Sequence, residues 1–343
     1  MFLLFNQIDL GFDTMSDVDK TIVIEAGEQV PDYGKCQVCG AALMPDQEQS
    51  GLLRCPVCRF TQKPKVVIAP GNIIDNKYRV LSHLNSGGCG DIFFCHPLND
   101  LSVRYVLKVL RAAGDSNFKR FKREAEILIS VRNEERIARI IDFGEAGDNA
   151  YIIMEYINGK NLKQLKEEFR FDEQAVLQTA REVVVALKHI WDDYAVIHRD
   201  IKPENIMLDE EFCLKILDFG LSKQCCDDEE DTNITMAMSG LGTPGYMSPE
   251  QFSDAKNADF RSDIFSLGAT MCFLLTGKKP FSGSTPMEIY HDTLVNSPPL
   301  FLQFDTECSA GCLQLIRKMM QREPDDRHCS YSELLDEIEG LIQ

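Results

Sequence analysis

The sequence predicts a bilobal α+β protein, a strand-rich lobe followed by a larger helical lobe, with a small cysteine-bearing module ahead of both. Three observations carry that prediction. Between residues 78 and 157, five β-rich runs and one amphipathic stretch are separated by turn residues. After Asn158-Gly159 the pattern turns mostly helical. Before residue 65, four cysteines stand in two close pairs. A strand-rich stretch that passes directly into a helical one implies two lobes with a cleft between them.

Composition sets the first limits. The chain has 343 residues and a net charge of −18, so a nucleic-acid backbone is not expected as a ligand, because phosphate binding needs a basic surface. No apolar run approaches the length of a membrane span. The opening "MFLLFNQIDLGF" lacks the basic n-region and cleavage site of a secretory leader, and either Met1 or Met15 is a candidate start. Thirteen cysteines, an odd number, many of them single within apolar runs, suit a reducing cytoplasm better than a disulfide framework. The expected organisation is an acidic tail over 1–30, the cysteine module over 31–64, a connector over 65–77 and a globular region over 78–343, its lobes 78–156 and 157–343.

The elements of the first lobe follow in order. "YRVLSHL", "GDIFFCH" and "RYVLKVL" read as strands. "NFKRFKREAEILISV" carries apolar residues at 118, 121, 125 and 128 and reads as a helix. "IARIIDFG" and "AYIIMEYI" complete the strands.

The cysteine pairs are Cys36-x2-Cys39 and Cys55-x2-Cys58, fifteen residues apart. Two such turns present four thiolates to one tetrahedral zinc, and a module this small hardly folds without such a staple. The stretch resembles a zinc ribbon with a closed, structural metal site.

"LNSGGCGDIFF" lies between the first two strands. A glycine cluster there is either a hairpin turn or a cradle for phosphates, with Asn85 where G-x-G-x-x-G has its first glycine. Further on, "VIHRDIKPENIML" and "KILDFGLS" set Asp200, Asn205 and Asp218 in order, with four residues between the first two and thirteen positions from Asn205 to Asp218. Phosphoryl transfer needs one carboxylate to receive a hydroxyl proton, and an amide and a second carboxylate to hold Mg²⁺ on the phosphates.

Residues 78–343 thus resemble a protein kinase domain, closest to the bacterial eukaryotic-like (Hanks-type) kinases, and "KPEN" after Asp200 resembles the Ser/Thr rather than the tyrosine class. The resemblance implies the kinase fold, protein substrates, ATP and Mg²⁺. It makes Lys108 the phosphate-holding lysine, Glu124 its ion-pair partner, Asp200 the catalytic base and Lys202 the group that neutralises the transferring phosphoryl. It gives Mg²⁺ to Asn205 and Asp218. Around the nucleotide it sets Leu84, Asn85, Gly87, Gly88, Gly90, Ile92, Val106, Met154, Glu155, Ile157 and Met207. "GTPGYMSPEQ" resembles the end of an activation segment, with Thr243 beside Asp200 and Glu250 paired to Arg327. Asp263 braces the catalytic loop. Arg199, Thr232 and above all Thr235 are the regulatory positions, near the acidic run 227–231. Asn85 is expected to keep the phosphate loop working, because asparagine tolerates positive φ. The alternative is a weakly active, kinase-shaped scaffold that binds ATP.

Overall fold

The structure is a computed structural model. It describes residues 41–45, 53–59, 61–62, 68–87, 90–111, 114–131, 134–146, 149–219, 244–253, 258–299 and 308–342. The chain divides into two compact units, residues 1–66 and 67–343.

In the first unit three two-residue strands, β1 (Met44–Pro45), β2 (Leu53–Arg54) and β3 (Thr61–Gln62), pair antiparallel in that order. Leu43 and Cys55 are buried together. Of the four expected metal ligands, Cys36 and Cys39 lie outside the described residues. The backbone N–H of Cys58 donates to Cys55 Sγ at 3.4 Å, and Arg59 turns the chain with φ 63°. Among the described residues no cluster of three or more His, Cys, Asp or Glu is arranged to hold a metal ion.

The second unit opens with an antiparallel sheet of six strands in the order β4-β5-β6-β7-β9-β8. These are β4 (Ile73–Ile74), β5 (Tyr78–Gly87), β6 (Gly90–Pro97), β7 (Tyr105–Arg111), β8 (Ile140–Ala146) and β9 (Asn149–Glu155). The five predicted runs each form a strand. β4 lies within the stretch read as a connector. Its Ile74 is buried, and Gly71 N–H donates to Val80 O at 2.8 Å, so these residues are part of the lobe. Helix α1 (Gly114–Ser130) buries Phe121, Ala125 and Leu128 along one face, as the spacing predicts.

The helical lobe comprises α2 (Leu162–Glu168), α3 (Glu173–Tyr194), α4 (Pro249–Ser253), α5 (Arg261–Thr276), α6 (Pro286–Asn296), α7 (Ala310–Met319) and α8 (Tyr331–Glu339). Asp172 caps α3 by accepting from Ala175 N, and Ala195 ends it in a left-handed turn. α5 is apolar nearly all round and is buried from Ser262 to Leu274, so it is the axis of the lobe. Each large side chain buried there, such as Phe265 or Leu274, contributes about 1.5–3 kcal/mol.

A small sheet, β10 (Gly159–Asn161), β11 (Ile206–Asp209) and β12 (Leu214–Ile216), flanks the segment from His198 to Asn205. Gly159 is obligatory in it, since a Cβ there would sit 2.1 Å from Leu208 O. β12 also reaches the first lobe: Ile216 N–H donates to Arg136 O at 2.7 Å and Ala138 N–H to Ile216 O at 2.9 Å.

Candidate active site

The segment from His198 to Asn205 is held from several sides by buried hydrogen bonds. Asp263, fully buried near the start of α5, accepts the backbone N–H of His198 and of Arg199, each at 2.8 Å. Tyr331 on α8 adds its hydroxyl at 3.4 Å, and burial together with the Asp263 charge raises that phenol well above its ordinary range, so it stays a donor. His198 accepts Asp200 N–H on Nδ1 at 3.1 Å, so its proton is on Nε2, which donates to Leu217 O at 2.8 Å. Phe219 packs against the same imidazole, ring centroids 4.5 Å apart. One histidine therefore ties the Asp200 segment to the Asp218 segment.

Three functional side chains converge on the first of those segments. Lys202 Nζ lies 2.7 Å from Asp200 Oδ2, and Asn205 Nδ2 donates to the same oxygen at 2.8 Å. Asn205 also donates to Asp200 O at 2.9 Å. Burial works to lower the Lys202 pKa, but the charge and hydrogen bond of Asp200 outweigh it, and the ammonium is favoured. The outcome is the Asp200 carboxyl group held beside a fixed cation.

Asp218 takes a left-handed conformation, φ 55°, and its Oδ2 lies 2.8 Å from Lys108 Nζ. Both line a cavity of about 20 Å³, room for roughly one water, with Leu128, Met154 and Phe219. The sheet register explains how Lys108 arrives there. Residues directly opposite in antiparallel strands share a face. Lys108 opposes Ile92 on β6 and Ile152 on β9, while Val106 opposes Phe94 and Met154. Ile92, Val106, Lys108 and Met154 therefore lie on one face. Glu155 and Ile157 follow Met154, with Ile157 buried, Met207 is half-buried on β11, and Leu84 is 42% exposed. Glu124 lies on α1, its side chain outside the described residues.

The glycine-rich stretch corrects one expectation. Asn85 is not at positive φ. It lies in β5 opposite Ile92, and its Oδ1 accepts Ser86 N–H at 2.9 Å. The conformation that needs glycine is at Gly90, φ 146°, where a Cβ would sit 1.8 Å from Val109 O. Gly87 opposes Gly90, and Gly88 lies outside the described residues.

At the far end of the segment Arg327 is fully satisfied. Two of its nitrogens meet both oxygens of Glu250 at 2.7 and 2.8 Å. Its other N–H groups reach the carbonyls of Arg261, Gln321 and Arg322, and Phe265 stacks beneath the guanidinium. Gln251, missed in the sequence, donates to Arg199 O at 3.0 Å and accepts from Ser248 Oγ at 3.2 Å. Thr232, Thr235 and Thr243 lie outside the described residues.

A family model, the protein kinase domain, matches residues 78–337. The chain belongs to the protein kinase family. Pkn3, a serine/threonine-protein kinase of Myxococcus xanthus, is 34% identical over 282 residues, covering 79% of this chain and 51% of that protein. PrkC, a serine/threonine-protein kinase of Bacillus subtilis, is 31% identical over 262 residues, covering 75% and 39%. The chain thus spans about half or less of the length of these curated kinases. The crystallised kinase domain of Mycobacterium tuberculosis PknI shares the fold, with a TM-score of 0.58 and 22% identity over 80% of this chain and 99% of its own. No helix among the described residues is long and apolar enough to cross a membrane.

Proposed function

We propose that the chain is an active serine/threonine protein kinase that transfers the γ-phosphoryl of Mg·ATP to protein hydroxyls. The observation that carries this reading is the convergence of Lys202 and Asn205 on Asp200, with Lys108 closed on Asp218. Asp200 would receive the proton of the attacking hydroxyl. Lys202 would balance the charge developing on the transferring phosphoryl, and Lys108 would hold the inner phosphates. Asp218 and Asn205 offer hard oxygen donors, which fit Mg²⁺. The ion, when bound, draws charge from the phosphates. Ile92, Val106, Met154 and Met207 would enclose the adenine, with backbone groups of Glu155 and Ile157 beside it.

Incubation of purified protein with Mg·ATP should yield phosphoserine or phosphothreonine on the chain itself. A protein that binds ATP without transfer would favour the scaffold reading.

The first unit would be a zinc ribbon held by Cys36, Cys39, Cys55 and Cys58. The Cys55–Cys58 turn supports this reading, because a backbone N–H aimed at Sγ favours the thiolate that a metal requires. Reduced protein should carry about one zinc per chain, lost in Cys55→Ser. Metal-free wild-type protein would remove the ribbon without touching the kinase reading.

A further inference from the structure

Three side chains at the root of the glycine-rich hairpin form a polar group that the phosphoryl-transfer machinery does not use. Ser86 Oγ donates to Asp91 Oδ1 at 2.6 Å and lies 2.9 Å from His83 Nε2. His83 Nε2 is itself 3.8 Å from Asp91 Oδ1, and its ring meets Phe93 edge-on at 5.1 Å. In a regular strand, residues 83 and 86 point to opposite faces. Here Leu84 is an extra residue: His83 opposes Phe93 and Asn85 opposes Ile92, so β5 bulges between them. The bulge shifts the alternation by one, and His83 and Ser86 fall on the same side as Asp91 and Phe93. Ile92 faces the other side, with Lys108.

We propose that His83, Ser86 and Asp91 are positioning residues that clamp the hairpin root from the side away from the nucleotide, and so fix the loop over the phosphates. The inference rests on the kinase reading of the cleft. Two features favour it. The clamp stands directly before the Gly87–Gly90 pair, the last rung on which β5 and β6 are paired. It also binds the two strands through side chains at the place where backbone pairing is interrupted by the bulge.

The test measures dissociation constants of Mg·ATP and of adenosine for the full-length wild type, Ser86→Ala, His83→Ala and Ser86→Thr. Loss of one such hydrogen bond should weaken ATP binding by about 2- to 10-fold. Adenosine, which has no phosphates, should bind unchanged. Ser86→Thr, which keeps the hydroxyl, should restore wild-type ATP affinity, and thermal melting should stay the same throughout. ATP binding unchanged in both alanine variants overturns the clamp, as does an equal loss for ATP and adenosine. If wild type binds adenosine and ATP alike, the clamp falls because the loop holds no phosphates. If it binds neither, the kinase reading falls with it.

Discussion

The loop from His198 to Asn205 and the glycine-rich hairpin carry residues of one candidate site but are built in opposite ways. The loop from His198 to Asn205 is fixed by buried bonds from α5, α8 and the Leu217 carbonyl, elements far apart in the chain. The hairpin is fixed by its own two strands and by exposed side chains within nine residues of one another. Buried networks tolerate little loss, because each deleted partner leaves another polar group unsatisfied. Exposed ones lose little, because water replaces the partner. In the proposed function, the buried loop would hold the reacting groups and the exposed hairpin would cover the nucleotide.

The largest effect should come from Asp200→Asn, which keeps the shape and removes the base. Its kcat should fall by about 10²- to 10⁴-fold, as read by steady-state kinetics. A fall of less than tenfold would break the comparison at its strongest point.

Arg327→Ala should be next. It strands Glu250, whose carboxylate is only 20% exposed, and three carbonyls, so the cost should be about 3–5 kcal/mol of stability, read by denaturant unfolding. The effect should be on folding before chemistry.

Thr235→Ala should lower activity severalfold while leaving the fold intact, if a phosphate there normally pairs with Arg199. Mass spectrometry of autophosphorylated protein checks it: full activity with no phosphate over residues 232–239 removes this control.

His328 gives the smallest effect. It is fully buried in the helical lobe, and burial lowers its pKa despite the partner Glu337. The unfolded chain therefore takes up a proton more readily than the folded one. Stability should fall as pH drops through about 7 to 5, and His328→Gln should flatten that slope in melting curves.

The same contrast explains what was legible in the sequence. Asp200, Asn205 and Asp218 could be read because their chemistry demands those residue types at fixed separations. Arg327, Glu250 and Asp263 followed from the family resemblance, and the structure brings Arg327 to Glu250 and Asp263 to the loop. Gln251 could not be read, since its bonds to the Arg199 carbonyl and to Ser248 are marked by no pattern. β4 is two residues long, too short for any periodicity. The bulge at Leu84 defeated strict alternation, and with it the meeting of His83 and Ser86. The expectation for Asn85 leaned on asparagine's tolerance of positive φ, whereas the strand runs on through Gly87 and needs no such tolerance there.

The central claim is that the site joining Asp218 to Lys108 transfers phosphoryl groups. Wild type and Asp218→Asn should be incubated with Mg·ATP and analysed for phosphoserine and phosphothreonine. The account predicts phosphate on the wild type, and a rate lower by several orders of magnitude in the variant. Equal phosphorylation of the two proteins would contradict it.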